Sequence, residues 1–346
     1  LLKLLLYVLN MFVNIDPYNR LIQLWLVSMF LLVIIIITVG GLTRLTDSGL
    51  SITEWELFKG ILPPLNFEKW NYYFNEYKKI PEYQSINYDM SINEFKVIYY
   101  WEYIHRLIAR VIGLCSILPL IYIYFRYKKE LIKDIKYLSI FGFICFQGFI
   151  GWFMVKSGLI NNTDVSHYRL ALHLSVALLI LSIIFWFILQ KFNIKKFEKK
   201  INNNFLLFFF IIILIQIILG AFLAGLNGGL LYNTWPDMNG NILPNDVNKN
   251  DLFNSEIFNN PSVIQFYHRI SAYTLIIFLF ILNLIFYKNQ IELRPVLIFN
   301  FAIIFQIFLG IMTLLTGVKI YYASLHQLGS VLVLISFINI FYKNTN

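Results

Sequence analysis

An all-α, polytopic membrane fold, with eight transmembrane helices as two tandem four-helix bundles related by a pseudo-twofold axis along the membrane normal, follows from three features of this sequence. The first is composition. Of 346 residues 58% are hydrophobic and only 14% charged, with mean hydropathy +0.66, which leaves too little polar surface to dissolve a globule of this length. The second is segmentation: apolar runs of about 20 residues, the span of a hydrocarbon core, occupy 21–43, 97–125, 137–155, 170–190, 205–226, 263–287, 295–316 and 321–342. The third is repetition. Gly40, Gly49, Leu50, Trp55, Gly60 and Pro64 return 180 residues later as Gly220, Gly229, Leu230, Trp235, Gly240 and Pro244. Four segments per half is an even number, so both halves enter the membrane in the same sense. The chain divides into an N-terminal half, 1–200, and a C-terminal half, 201–346.

The net charge of +9 would suit an anionic partner such as nucleic acid if the bases were clustered, but they sort by loop. Lys3 and Arg20, five bases between the second and third runs, five after the fourth, Lys288 with Arg294, and Lys343 share one side; the short loops on the other hold Lys156 and Arg169, then Lys249, then Lys319. The positive-inside rule then puts both termini on the cytoplasmic or matrix side. The long loops 44–96 and 227–262 face outward. The first run is preceded by Leu1–Phe12, a short apolar stretch without a small-residue cleavage site, so no signal peptide is expected. Cys115 and Cys145 fall inside the second and third runs, where a thiol is a packing residue and cannot staple an outer loop.

Each even-numbered run carries one histidine in its outer part. The next inner-side bases, Arg126, Lys191, Lys288 and Lys343, follow His105, His173, His268 and His326 after 21, 18, 20 and 17 residues. At 1.5 Å per residue all four lie roughly 26 to 32 Å above the inner boundary, in one layer near the outer edge of the bilayer core. The repeat relates them: Glu102-Tyr103-Ile104-His105-Arg106 matches Gln265-Phe266-Tyr267-His268-Arg269, and Leu172-His173-Leu174 matches Leu325-His326-Gln327. Between them, the stretch from Phe146-Gln147 to Gly151 matches that from Phe305-Gln306 to Gly310. An ionisable group at this depth is costly unless paired, ligated or wetted.

Two neutral imidazoles facing each other across a four-helix bundle form the usual axial pair of a six-coordinate haem iron. That predicts two haem sites, His105 with His173 and His268 with His326. Four hydrogen-bonded core histidines are the bland alternative. A zinc or di-iron site would want Glu-x-x-His from two helices, and only the second run has it. His167, without a counterpart in the repeat, reads as a solvated loop residue. Arg106 and Arg269 directly follow their histidines and are candidates for pairing with haem propionates, against interfacial snorkelling; Arg110, one turn deeper, is the weaker candidate. Glu102 stands three residues before His105, on the same helix face and one turn nearer the outer surface. Its counterpart is Gln265. A carboxylate exchanges protons and an amide does not, so the reading assigns chemistry to the first half and electron storage to the second.

The motifs Gly40-Gly41-Leu42-Thr43-Arg44, Ser48-Gly49-Leu50-Ser51-Ile52-Thr53-Glu54-Trp55, Gly60-Ile61-Leu62-Pro63-Pro64, Glu102-Tyr103-Ile104-His105-Arg106, Tyr168-Arg169-Leu170-Ala171-Leu172-His173 and Asn233-Thr234-Trp235-Pro236-Asp237-Met238 resemble the haem A synthase family over nearly the whole chain. The resemblance implies oxidation of a methyl group of haem O to a formyl group, giving haem A for cytochrome c oxidase. It implies that His105 and His173 hold the substrate haem, that Glu102 is the catalytic carboxylate, and that His268 and His326 ligate a cofactor haem b. Expected partners are haem O and its membrane-bound synthase, an electron acceptor and a homo-oligomeric copy; nucleic acid is not among them. The expected location is the mitochondrial inner membrane or a bacterial plasma membrane. Two departures stand out. The outer-loop cysteine pair of some members is absent, as in the cysteine-free mitochondrial and alphaproteobacterial type, and His167 stands where the family has proline. A di-haem, cytochrome b-like electron carrier and a haem transporter remain the competing readings.

Overall fold

Among the described residues eight helices are long and apolar enough to cross a membrane: α1 Pro17–Leu45, α2 Ile92–Arg126, α3 Leu138–Val155, α4 His167–Lys191, α5 Asn203–Gly225, α6 Pro261–Lys288, α7 Arg294–Leu315 and α8 Ile320–Asn344. The structure is a computed structural model and describes residues 16–56, 59–160, 162–248, 252–253 and 255–345. Leu1–Phe12 and Lys249, used in the sequence reading, lie outside them. Local chemistry sets the starts. Asp16 accepts from the Asn19 N–H at 3.2 Å ahead of Pro17, Ser91 and Glu94 form a capping box on α2, and Asn260 caps α6 just before Pro261.

In the first half α1 and α3 each pack against α2 and α4; in the second, α5 and α7 each pack against α6 and α8. Between the halves α1 meets α8, α4 meets α5, and α4 meets α8. Exchanging the halves maps this set of contacts onto itself. Helix α8 serves both cores because its two apolar stripes point apart: Val331, Leu334, Ile338 and Tyr342 join the first core, and Val333, Phe337 and Ile340 the second. Apolar side chains such as Leu31, Leu118, Phe301 and Phe308 remain exposed on the outer surface of the helices, as a lipid-facing wall requires.

Polar contacts fasten the interface at both ends. The Gln327 amide donates to the Ile37 carbonyl at 2.9 Å, and Arg44 donates to the Ala224 carbonyl at 3.1 Å and to Asn227 Oδ1 at 2.8 Å. At the inner end Asn344 accepts from the Ile201 N–H at 2.7 Å and donates to its carbonyl at 2.9 Å, which ties the linker between the halves to the end of α8.

At 35 residues, α2 is about 52 Å long, well over a core of about 30 Å, so its N-terminal end needs cover. The first long loop supplies it. A helix over Phe67–Tyr77 and a short one over Pro81–Ser85 bring Trp70, Phe74, Tyr77 and Ile80, with Leu50 and Ile52, onto Phe95 and Tyr99. Burying one such side chain stabilises by roughly 1.5–3 kcal/mol, enough together to make a folded cap of an outer loop. One expectation fails nearby. His167 is not a solvated loop residue: it opens α4, is half-buried, and its ring lies 5.6 Å from that of Phe222 and against Gly225. Helix α4 starts three residues before the apolar run because these contacts with α5 bury its first turn.

Candidate functional site

Helices α2 and α4 stand diagonally across the first bundle, as α6 and α8 do in the second, and their histidines meet in the middle. The rings of His105 and His173 are 6.5 Å apart between centroids, with planes inclined by 62°; those of His268 and His326 are also 6.5 Å apart, inclined by 79°. Each ring lies against a glycine of a neighbouring helix. A Cβ added to Gly40, Gly151, Gly220 or Gly310 would stand 2.9–3.1 Å from Cε1 of His105, His173, His268 or His326 respectively. Real Cβ atoms do not come that close without displacing something, so these four glycines are the physical reason for the repeated Gly40/Gly220 and Gly151/Gly310 positions.

The cradles suit a metal held between the rings. Two metal–imidazole bonds of about 2 Å, with about 1.1 Å from each nitrogen to its ring centre, require centroids roughly 6 Å apart. Nδ1 of His105, His268 and His326 is buried without a partner. Among the described residues no group of three or more His, Cys, Asp or Glu side chains could hold a bare ion. Two imidazoles per half match the number of protein ligands that a macrocycle-held iron takes.

Glutamines brace the pairs, a feature the sequence showed only as a repeat. Gln147 donates to the His173 carbonyl at 3.0 Å and Gln306 to the His326 carbonyl at 2.9 Å; Gln147 also lies 3.2 Å from His173 Nδ1. Gln216 of α5 lies 3.3 Å from His268 Nε2. Its counterpart 180 residues earlier is Ile36, so the second pair has one more amide beside it than the first.

Glu102 is 3% exposed and fully engaged. Its Oε2 accepts from Ser51 Oγ at 2.7 Å and the Ile52 N–H at 2.8 Å; its Oε1 accepts from Arg106 at 2.6 and 3.0 Å. Arg106 also donates to the carbonyls of Ile52 and Glu54, at 2.9 and 3.2 Å, and Arg110 to that of Glu56 at 2.7 Å. Thus the residues that the sequence reading offered to propionates hold the outer loop on α2. The second half does the same with neutral parts. Gln265 donates to the Tyr232 carbonyl at 3.1 Å, and Arg269 to the carbonyls of Tyr232, Thr234 and Asp237 at 2.7–2.9 Å. Oε1 of Gln265 and Nε of Arg269 are buried without partners. Loop anchoring is common to both halves, and the buried negative charge is not.

The profile of the family described as cytochrome oxidase assembly protein matches residues 23–338. A haem A synthase of Pelagibacter ubique is 61% identical over 336 residues, 97% of this chain and all of the relative. Haem A synthases of Rickettsia bellii and Agrobacterium fabrum are each 41% identical, over 90% and 92% of this chain and 94% and 88% of their own lengths.

Proposed function

We propose, from the premise that this chain belongs to the cytochrome oxidase assembly protein family, that it makes haem A, as the relatives' name states, by oxidising a methyl group of haem O to a formyl group. The enzyme is integral to the membrane, through eight apolar helices. In this reading residues 1–200 form the catalytic half and 201–346 the electron-transfer half, with both termini on the cytoplasmic or matrix side.

His105 and His173 hold the substrate haem, and His268 and His326 hold haem b. When bound, haem b supplies one-electron storage beside the site of oxidation. Gly40 and Gly151 fix the imidazoles that receive the substrate. Converting methyl to formyl removes protons as well as electrons, and Glu102 is the group that takes the protons: it is a buried carboxylate one turn from His105. Arg106 aligns that carboxylate from four residues on. The loop over Ser51–Glu56 holds Glu102 in place through Ser51 and the Ile52 N–H, and Arg106 and Arg269 are the guanidinium groups offered to the propionates. The partners that follow are a supplier of haem O, an electron acceptor and the oxidase that receives haem A.

The observation that carries this reading is the histidine–glycine cradle repeated in both halves with a buried carboxylate beside only one. The test is co-expression of the full chain with a source of haem O, followed by chromatography of the extracted haems. Haem b together with haem O or haem A is expected; haem b alone would favour an electron carrier.

A further inference from the structure

Among the described residues two carboxylates are buried, Glu102 at 3% exposed and Glu82 at 6%, and both belong to the cap on the outer end of α2. Their surroundings differ. Glu102 meets a guanidinium, a hydroxyl and a backbone N–H. Glu82, in the short helix Pro81–Ser85, has Oε2 buried without a partner. A carboxylate so placed keeps its proton rather than its charge. Burial first, and then the charges of Glu102, Asp164 and Asp47, push the Glu82 carboxyl up to about 8, against a lowering contribution from the Tyr77 hydroxyl.

Tyr77 packs between the start of α2 and the short helix that carries Glu82. It is fully buried, with its ring 5.2 Å from that of Phe95 at the start of α2 and 5.7 Å from that of Tyr83 beside Glu82. Asn87 donates to its hydroxyl at 2.8 Å, and both Glu82 and Glu102 act on it. The other acids whose charges act on Glu82 are Asp164, half-buried ahead of α4, and Asp47, which follows α1 and is exposed and paired with Arg44 at 2.8 Å. The second outer loop has no buried carboxylate among the described residues.

We propose that Glu82 is the outlet for protons collected at Glu102, passing them from the buried site towards Asp164, Asp47 and the outer aqueous phase. The proposal rests on Glu102 being the base of the reaction. Before transfer, the O–H bond of Glu82 breaks and its proton goes to water at the outer surface. Glu102 meanwhile takes a proton from the substrate. The O–H bond at Glu102 then breaks, one forms at Glu82, and no electrons move. The order follows from charge coupling: neutralising Glu102 removes the largest single charge that holds the proton on Glu82, so arrival at one carboxyl favours release from the other.

The test uses the full chain in membranes and reads the protonated-carboxyl band by infrared difference spectroscopy. A band that Glu82→Gln removes should be present at pH 7, titrate with a midpoint near 8, and shift to a lower midpoint in Glu102→Gln. Haem O conversion by Glu82→Gln should be slower by about tenfold, with a flattened pH profile. Absence of the band, or an unchanged midpoint in Glu102→Gln, overturns the proposal. So does a wild-type rate and pH profile in Glu82→Gln while Glu102→Gln is inactive. If Glu102→Gln itself converts haem O at the wild-type rate, the assignment of Glu102 has failed instead, and the outlet with it. Should Glu82→Gln not fold, Glu82→Asp identifies the band by displacing it, and the same midpoints decide.

Discussion

Gly40 against His105 and Gly220 against His268 are one contact met twice, 180 residues apart, whereas Glu102 and Gln265, three residues before those same histidines, differ. Under the proposed function, the two halves separate what holds a ligand from what acts on it. The cradles, the bracing glutamines Gln147 and Gln306, and the arginines that tie down the outer loops occur in both. Among the described residues the carboxylate of Glu102, the aromatic cap around it and the second buried acid Glu82 occur only in the first. Gln216 occurs only in the second, where an extra amide beside His268 fits a permanently held group better than one that must leave as product.

The strongest way to break this comparison is to fill one cradle. In Gly310→Leu the Cβ alone would lie 2.9 Å from Cε1 of His326, and the branched side chain leaves the ring no room. The expected outcome is loss of about half the bound haem, measured by absorbance per chain, with the first-half site still filled; Gly151→Leu should empty the other site. Equal loss of both haems from a folded variant would show that the halves are not independent holders.

Next in size is a swap at the differing position. Gln265→Glu brings a carboxylate up to Arg269 and gives the second half the charge of the first. Combined with Glu102→Gln it should still yield no haem A on chromatography, because the second half lacks the remainder of the cap. Recovery of haem A would mean that charge alone distinguishes the halves.

How much of this was readable beforehand depends on the kind of signal. The eight helices and the four histidines were legible because hydropathy and a repeat are local or periodic properties. The glycines were visible as repeats, but their purpose was not, since a close approach to a ring on another helix leaves no mark except the missing Cβ. The Glu102–Arg106 ion pair was legible in principle: the two stand four residues apart on one helix, the spacing at which such pairs form. The sequence offered Arg106 as a propionate candidate and did not bring out the ion pair. Glu82 was out of reach. Ile80-Pro81-Glu82-Tyr83 has the look of a loop, and only the packing of Tyr77 and Phe95 over it makes it buried. His167 was misplaced because its burial comes from α5, a helix of the other half.

A smaller effect concerns the cap alone. The Glu82 carboxyl is held at about 8 in the folded protein against an ordinary 4.5, so the folded state binds this proton more tightly than the unfolded chain does. The stability that follows is fully present below pH 4.5 and is lost progressively as pH rises to about 8. Protection of the cap against proteolysis should decline over that window in the wild type and be flatter in Glu82→Gln. The smallest effect is at the seam. Gln327→Ala removes the bond to the Ile37 carbonyl that joins the halves and should cost about 0.6 kcal/mol, a typical value for a hydrogen bond between membrane helices, seen as a slight fall in thermal midpoint with both haems retained.

The most direct test of the division of labour is the haem content of Glu102→Gln made in the full chain alongside a source of haem O. A glutamine there can still accept from Ser51 and the Ile52 N–H, as the cap requires, but carries no charge to Arg106 and takes no proton. The account predicts both haem sites filled and haem A reduced at least about 100-fold. Haem A at the wild-type level, with both sites filled, would contradict it and leave Glu102 as an anchor for the outer loop.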